Sequence, residues 1–252
     1  MKCILVCFVT GLALWTDSAV AQPESDPAHI EIEVTPFYDS KGPVIEVGLF
    51  SKGLASKSEK EFEETIFKMQ KSWDKLSFAE MYVAAIRLYD LGYRKEAVYW
   101  FYSAQYRGRL FGMLVDKSKL GEIGDPGFEL YHAQNAFYQL VGTTINGYGF
   151  GDTDHVTEVV QRVLKEGEKL PEIKATYRGI AFKEETQWNA EHKKLNEGLD
   201  KLLTLLKEKK DFIKQQRVEN GTEAKFAKLK TRELDKQVEA VPKADKPATP
   251  GK

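Results

Sequence analysis

Residues 77–108 read SFAEMYVAAIRLYDLGYRKEAVYWFYSAQYRG, and this stretch decides the fold. Ser77 followed by Glu80 is a capping-box pattern, and Leu76 with Met81 is placed as a hydrophobic staple. A helix is therefore predicted from Ser77 to near Gly92, a natural left-handed cap. A second helix is predicted from about Arg94 to Met113. On it, Ala97 and Ala104 are small where paired helices approach closely, and Trp100 and Phe101 are bulky knobs beside them. Two apolar helices joined at one glycine predict a helical hairpin.

Helical signals continue on both sides. Ser58 with Glu61 repeats the capping pattern, and Phe62, Ile66, Met69 and Trp73 form one apolar stripe. Asp125-Pro126 looks like an N-cap followed by proline at the first helical position. The helix it opens carries Phe128, Tyr131, Ala136, Phe137 and Leu140. Asn146 to Asp152 reads as a glycine-rich break, and His155 to Glu166 as another helix. A long helix is expected from Phe182 to Arg217. Its Leu195, Leu199, Leu202, Leu206 and Ile213 make a coiled-coil-like seam, a possible route to a homo-oligomer.

Toward the N-terminus, Ile30, Ile32 and Val34 alternate with polar residues as in a half-buried strand. Asp39 to Pro43 is turn chemistry, and Val44 to Val47 reads as the second strand of a small hairpin. The fold class expected is mainly α: repeat-like antiparallel helix hairpins, a short N-terminal β-hairpin and a long C-terminal helix. The boundaries expected are a signal peptide at 1–21, an N-terminal extension with the β-hairpin at 22–57, a helical domain at 58–218, and a basic, disordered tail at 219–252.

Composition narrows the function. The chain has 252 residues, 42% of them apolar and 30% charged, with a net charge of −1. Those are values of a globular protein with a core, and the balance argues against nucleic acid as partner. Lys2, the apolar run Ile4–Trp15 and Ala19-Val20-Ala21 form a secretory signal, with cleavage expected after Ala21. No later apolar run approaches the ~18–20 residues of a membrane span, so no transmembrane segment is expected once the signal is removed. The only cysteines, Cys3 and Cys7, fall within the signal. The mature chain therefore has no thiolate chemistry and no disulfide, and a periplasmic or secreted location is expected. Residues 22–192 hold 20 Lys+Arg against 27 Asp+Glu, whereas residues 193–252 hold 16 against 10. The basic arm reads as a solvated face and tail, or as a segment that touches an anionic envelope surface or folds back on the acidic body.

The 77–108 hairpin resembles one unit of the tetratricopeptide and Sel1-like repeat families. Ala97, Trp100, Phe101, Ala104 and Gly108 carry the likeness on the second helix, with Ala85, Leu88 and Gly92 on the first. Residues 127–166, with Ala133, Ala136 and Gly142, resemble a degenerate second unit. Because these families are mostly interaction scaffolds, the resemblance implies a protein or peptide partner.

Two places are candidate sites. Ten aromatics fall within residues 78–111. Tyr99 to Tyr102 are consecutive and sweep about 300° of helix circumference, so they cannot all face one core. The expectation is a partner-binding groove rimmed by Tyr82, Tyr99, Tyr102, Tyr106, Arg107 and Arg109, since Tyr and Arg are common interface anchors. The second place is the loop at 146–155. Tyr148, Asp152, Asp154 and His155 offer weak catalytic candidates as an acid/base set or a hard-metal loop, although the ligand order is not that of an EF-hand. The structural alternative is a helix-to-helix turn with Asp152 or Thr153 as N-cap. None of the four histidines has metal-pair spacing, and there is no Gly-x-Ser-x-Gly or HExxH motif. No metal and no cofactor are expected. The leading expectation is an exported, non-enzymatic helical binding protein of adaptor or toxin-neutralising type. The alternatives are an envelope-polymer hydrolase using the 146–155 loop, and a self-associating structural spacer.

Overall fold

The computed structural model describes residues 26–34, 36–41 and 45–234. The signal segment 1–21 and the end of the tail, 235–252, lie outside the described residues. The fold is mainly α, with a single two-stranded antiparallel sheet among the described residues.

The central element is the hairpin of α3 (Phe78–Asp90) and α4 (Arg94–Leu114). Its capping box is complete: Glu80 N donates to Ser77 Oγ at 3.2 Å, and Ser77 N donates to Glu80 Oε2 at 2.8 Å. Gly92 has φ +91°, which only glycine adopts without strain, and the chain reverses there. Apart from Arg87 and Asp90, every residue of α3 is buried. A helix apolar all round must be wrapped on every side. The wrapping comes from α1 (Ser51–Leu54), α2 (Glu59–Lys71), α5 (Pro126–Gly149) and the N-terminal segment. Helix α4 is flanked in turn by α5, α6 (Thr153–Glu166) and α8 (Trp188–Glu208).

In α2 the Ser58 cap forms, but Glu61 accepts from Ser56 Oγ at 2.6 Å instead of reaching back to Ser58. Phe62, Ile66 and Met69 are fully buried, whereas Trp73 lies beyond the helix in a 3-10 turn. There it stacks on Tyr99 at 5.2 Å and meets Trp100 edge-on at 4.9 Å.

The β-hairpin forms with a different register. Strand β1 is Glu33–Val34 and β2 is Tyr38–Asp39, with Val34 opposite Tyr38. One reversal lies between them, closed by Phe37 N to Val34 O at 2.7 Å, and a second lies between Tyr38 and Ile45, where the turn was expected. The expected second strand contributes one bridge, Ile45 to Tyr38. Strands this short are not stable alone; Ile30, Ile32, Val34, Tyr38 and Val47 hold the segment by burying against the helices.

Three further expectations are corrected. Helix α5 does not break at Asn146 but runs through Gly149. Glycine weakens a helix interior by about 1 kcal/mol. Here that is offset by close packing: a Cβ on Gly149 would lie 3.4 Å from both Val98 and Val156. The long C-terminal helix is two helices, α8 and α9 (Lys210–Glu219), hinged at Lys209; before α8 the chain bridges Phe182 to Val115. Leu195, Leu199, Leu202 and Leu206 are buried against α4 and α6 of the same chain, so this part of the seam is an internal contact, whereas Ile213 on α9 is half-buried. Finally, the tail is structured well past residue 219. It forms α10 (Thr222–Phe226) and then crosses back to Gly92, where Arg232 N donates to the Gly92 carbonyl at 2.8 Å. The remaining short helix is α7 (Ile173–Thr176). Among the described residues, no helix is long and apolar enough to cross a membrane.

Candidate functional site

The aromatic run of α4 is core, not groove. Tyr82, Tyr99, Tyr102, Tyr106 and Arg107 are all buried, and Arg109 is half-buried. The 300° sweep is resolved by four neighbours, one per residue. Tyr99 Oη donates to Glu166 of α6 at 2.8 Å under the Arg162 guanidinium. Trp100 meets Trp73 of the 3-10 turn edge-on, and its Nε1 donates to Glu96 of α4 itself at 3.1 Å. Phe101 meets Tyr82 of α3 edge-on at 5.9 Å, and Tyr102 Oη donates to Asn146 of α5 at 3.1 Å. Further along, Tyr106 Oη sits 2.8 Å from His192 Nε2 and 3.1 Å from the Gly167 carbonyl, and burial pushes its hydroxyl up to about 12. Arg107 donates to the carbonyls of Trp73 and Asp74. Its burial lowers its pKa from the usual arginine value. Tyr82 stacks on Phe137 of α5 at 5.0 Å, and its hydroxyl has no hydrogen-bond partner among the described residues.

The 146–155 segment is the junction of α5 and α6. Asp152 caps α6, accepting from His155 N at 3.0 Å. Asp154 is exposed and pairs with Lys210 of α9 at 2.6 Å. His155 Nε2 lies 3.2 Å from the Lys95 carbonyl, and Tyr148 meets Tyr89 edge-on. Tyr148, Asp152 and His155 share a cleft of about 190 Å³ with Lys95, Arg217 and Phe226. Arg217 is buried there and donates Nη1 to the Gly147 carbonyl at 2.6 Å and Nε to Glu223 at 2.9 Å. A cation is thus held against the carbonyl end of α5, where the helix dipole is negative. The cleft is smaller than the ~300–1,000 Å³ of ordinary small-molecule sites. Glu80 and Glu96, whose carboxyls burial raises above the usual range, do not line it. Among the described residues, no three His, Asp or Glu side chains are grouped for a metal.

A third surface was not anticipated. Between Leu130 and Gly151 the chain contains no Asp, Glu, Lys or Arg, although 30% of the whole chain is charged. This run is most of α5, whose outer side exposes His132, Asn135, Gln139, Leu140 and Thr143. Phe128 packs on His132 at 4.3 Å. Tyr131 carries Lys117 over its ring at 5.0 Å, and Tyr138 carries Arg109 at 5.4 Å. Ile123, in the loop before α5, is 86% exposed. The signal was present as an absence of charge, which a search for apolar periodicity does not register. Comparison of the chain with models of protein families, with curated proteins and with solved structures finds no match.

Proposed function

We propose that this chain is an exported, non-enzymatic helical binding protein that holds a protein partner on the outer face of α5. The observation that carries this reading is the charge-free, partly aromatic exposed face, bordered by Arg109 and Lys117. Interface centres are depleted in charge and enriched in Tyr, Phe and Arg. The likeness of residues 77–108 to tetratricopeptide and Sel1-like units supports the same class, as does the secretory pattern at 1–21 for location. An adaptor and a toxin-neutralising protein both need a rigid helical face of this kind.

The test is affinity capture with residues 22–252, followed by affinity measurement with the purified partner. His132→Glu with Leu140→Glu is expected to weaken binding at least tenfold while the melting temperature stays within a few degrees. Undiminished affinity would remove α5 from the proposal, and no stoichiometric partner would remove the reading itself. A second reading, hydrolysis of an envelope polymer, draws on the convergence of Tyr148, Asp152 and His155 on one cleft. It requires turnover that His155→Ala abolishes.

A further inference from the structure

The basic C-terminal arm folds back onto the body and seats two of its side chains there. After Gly221, at φ +75°, α10 places Phe226 over Gly147 of α5. A Cβ on Gly147 would stand 2.6 Å from that ring, so the glycine makes room for it. Six residues later Arg232 enters a second receptacle formed by α2 and the α3–α4 turn. Its guanidinium pairs with Glu59 at 2.5 Å, lies over the Tyr93 ring at 4.7 Å, and donates to the Leu91 carbonyl at 3.2 Å. Tyr93 is itself buried, and its hydroxyl lies within hydrogen-bond reach of both Glu59 and Glu63. The carboxylate that receives the arginine is thus oriented by the body. The carbonyls of Leu91 and Gly92 close the negative end of α3, a second attraction for a cation.

Between the two anchors the body meets one backbone carbonyl and one side-chain hydroxyl of the strap. Arg94 donates to the Lys230 carbonyl, and Lys95 N donates to Thr231 Oγ1 at 3.4 Å. Arg94 and Lys95 each lie 136 positions from the strap residue they meet. The mooring is weak: the Arg232 and Glu59 side chains are 53% and 40% exposed, and exposed ion pairs contribute about 0–1 kcal/mol.

We propose that residues 222–234 occupy in cis a peptide-binding site of the helical body. The partner that displaces them is a peptide carrying an aromatic residue and, six positions on, an arginine. Glu59 and Glu63 select the cation, and Gly147 admits the ring. This site is separate from the outer face of α5. A tethered strap has an effective concentration near the millimolar range, so it masks the site until a partner competes.

The experiment uses the full chain and a fluorescein-labelled peptide with the sequence of residues 221–234. In the full-length Phe226→Ala/Arg232→Ala variant the strap is released. That variant is expected to bind the peptide at least tenfold more tightly than the unaltered chain, by fluorescence anisotropy. A peptide with Arg232→Ala, or Glu59→Gln/Glu63→Gln added to the released chain, removes that gain. Equal binding by the two chains overturns the proposal, as does a gain that survives loss of the arginine. A doubling of mass in sedimentation of the unaltered chain overturns cis occupancy in favour of strap exchange between copies. Should the released variant unfold, hydrogen exchange on the unaltered chain decides. Millimolar peptide should expose the Arg232 amide while α4 amides stay protected; an Arg232 amide that remains protected ends the proposal. His132→Glu/Leu140→Glu leaves all these results unchanged, so failure here and failure on α5 are told apart.

Discussion

Helices α5 and α8 lie against the same central helix and are similar in length, 24 and 21 residues, yet their outer faces differ in kind. Helix α8 exposes Lys193, Lys194, Glu197, Asp200, Lys201, Lys207 and Glu208, with Asn189, Ala190 and Thr204 the uncharged residues among its exposed positions. Helix α5 exposes His132, Asn135, Gln139, Leu140 and Thr143. The first is an amphipathic helix whose polarity is explained by packing and solubility alone. The second keeps a well-packed inner face but withholds charge from water, which neither folding nor solubility requires. The difference teaches that packing and solubility account for the outer face of α8 but not for that of α5, the face for which a partner is proposed.

The comparison breaks most strongly at the α8 seam. Leu199→Lys places a charge among buried leucines and is expected to cost about 3–5 kcal/mol in urea unfolding, without a fall in solution mass. A drop in mass with stability retained would mean the seam joins two copies after all.

A pH dependence of stability is expected from neither outer face but from Asp90 of α3. Its carboxyl is pushed up to about 6, chiefly by burial; it accepts from Ile30 N at 2.9 Å and meets His29 Nδ1 at 3.0 Å. A carboxyl whose folded pKa exceeds its unfolded value of about 3.9 holds its proton more tightly when folded. Its contribution therefore favours folding below pH 4 and falls as pH rises to 6. Asp90→Asn should flatten that slope by up to about 2 kcal/mol, seen as a smaller difference between unfolding at pH 4 and at pH 7. An unchanged difference would place the titrating group elsewhere.

On α5 itself, the charge-inserting pair His132→Glu/Leu140→Glu sharpens the contrast: at least tenfold in partner affinity, about 1.4 kcal/mol, against less than ~0.5 kcal/mol in stability. The matched swap on α8, Lys193→Glu with Lys201→Glu, should change neither by as much. The smallest effect belongs to the contact between α3 and the inner side of α5. Tyr82→Phe removes a buried hydroxyl with no partner and is expected to raise stability by up to ~1 kcal/mol. A loss of stability would mean that the hydroxyl is satisfied in solution.

Much of the scaffold is legible in the residues. Ser77, Glu80 and Gly92 act within one turn of where they stand in sequence, so their consequences can be read locally. The same holds for Asp152 as the α6 cap. The aromatic run of α4 misled because a sequence shows how far side chains fan out but not how many neighbours receive them. Four neighbours do, and the expected groove is filled. The glycines at 147 and 149 misled for the converse reason: their propensity is local, but Phe226 and Val98, which fill space beside them, are distant in sequence.

Local chemistry alone thus determined the helical class, the α3–α4 hairpin, the caps and the buried stripe of α2, because each depends on residues within a few positions of one another. Tertiary structure decided the rest. It turned the leucine seam inward, carried α5 through its glycines, set Lys95 and Arg217 beside Tyr148 and His155 in one cleft, and returned Arg232 to Glu59. Those outcomes depend on which surfaces meet across tens of residues. Contacts at that range are selected by shape and burial, which periodicity does not encode.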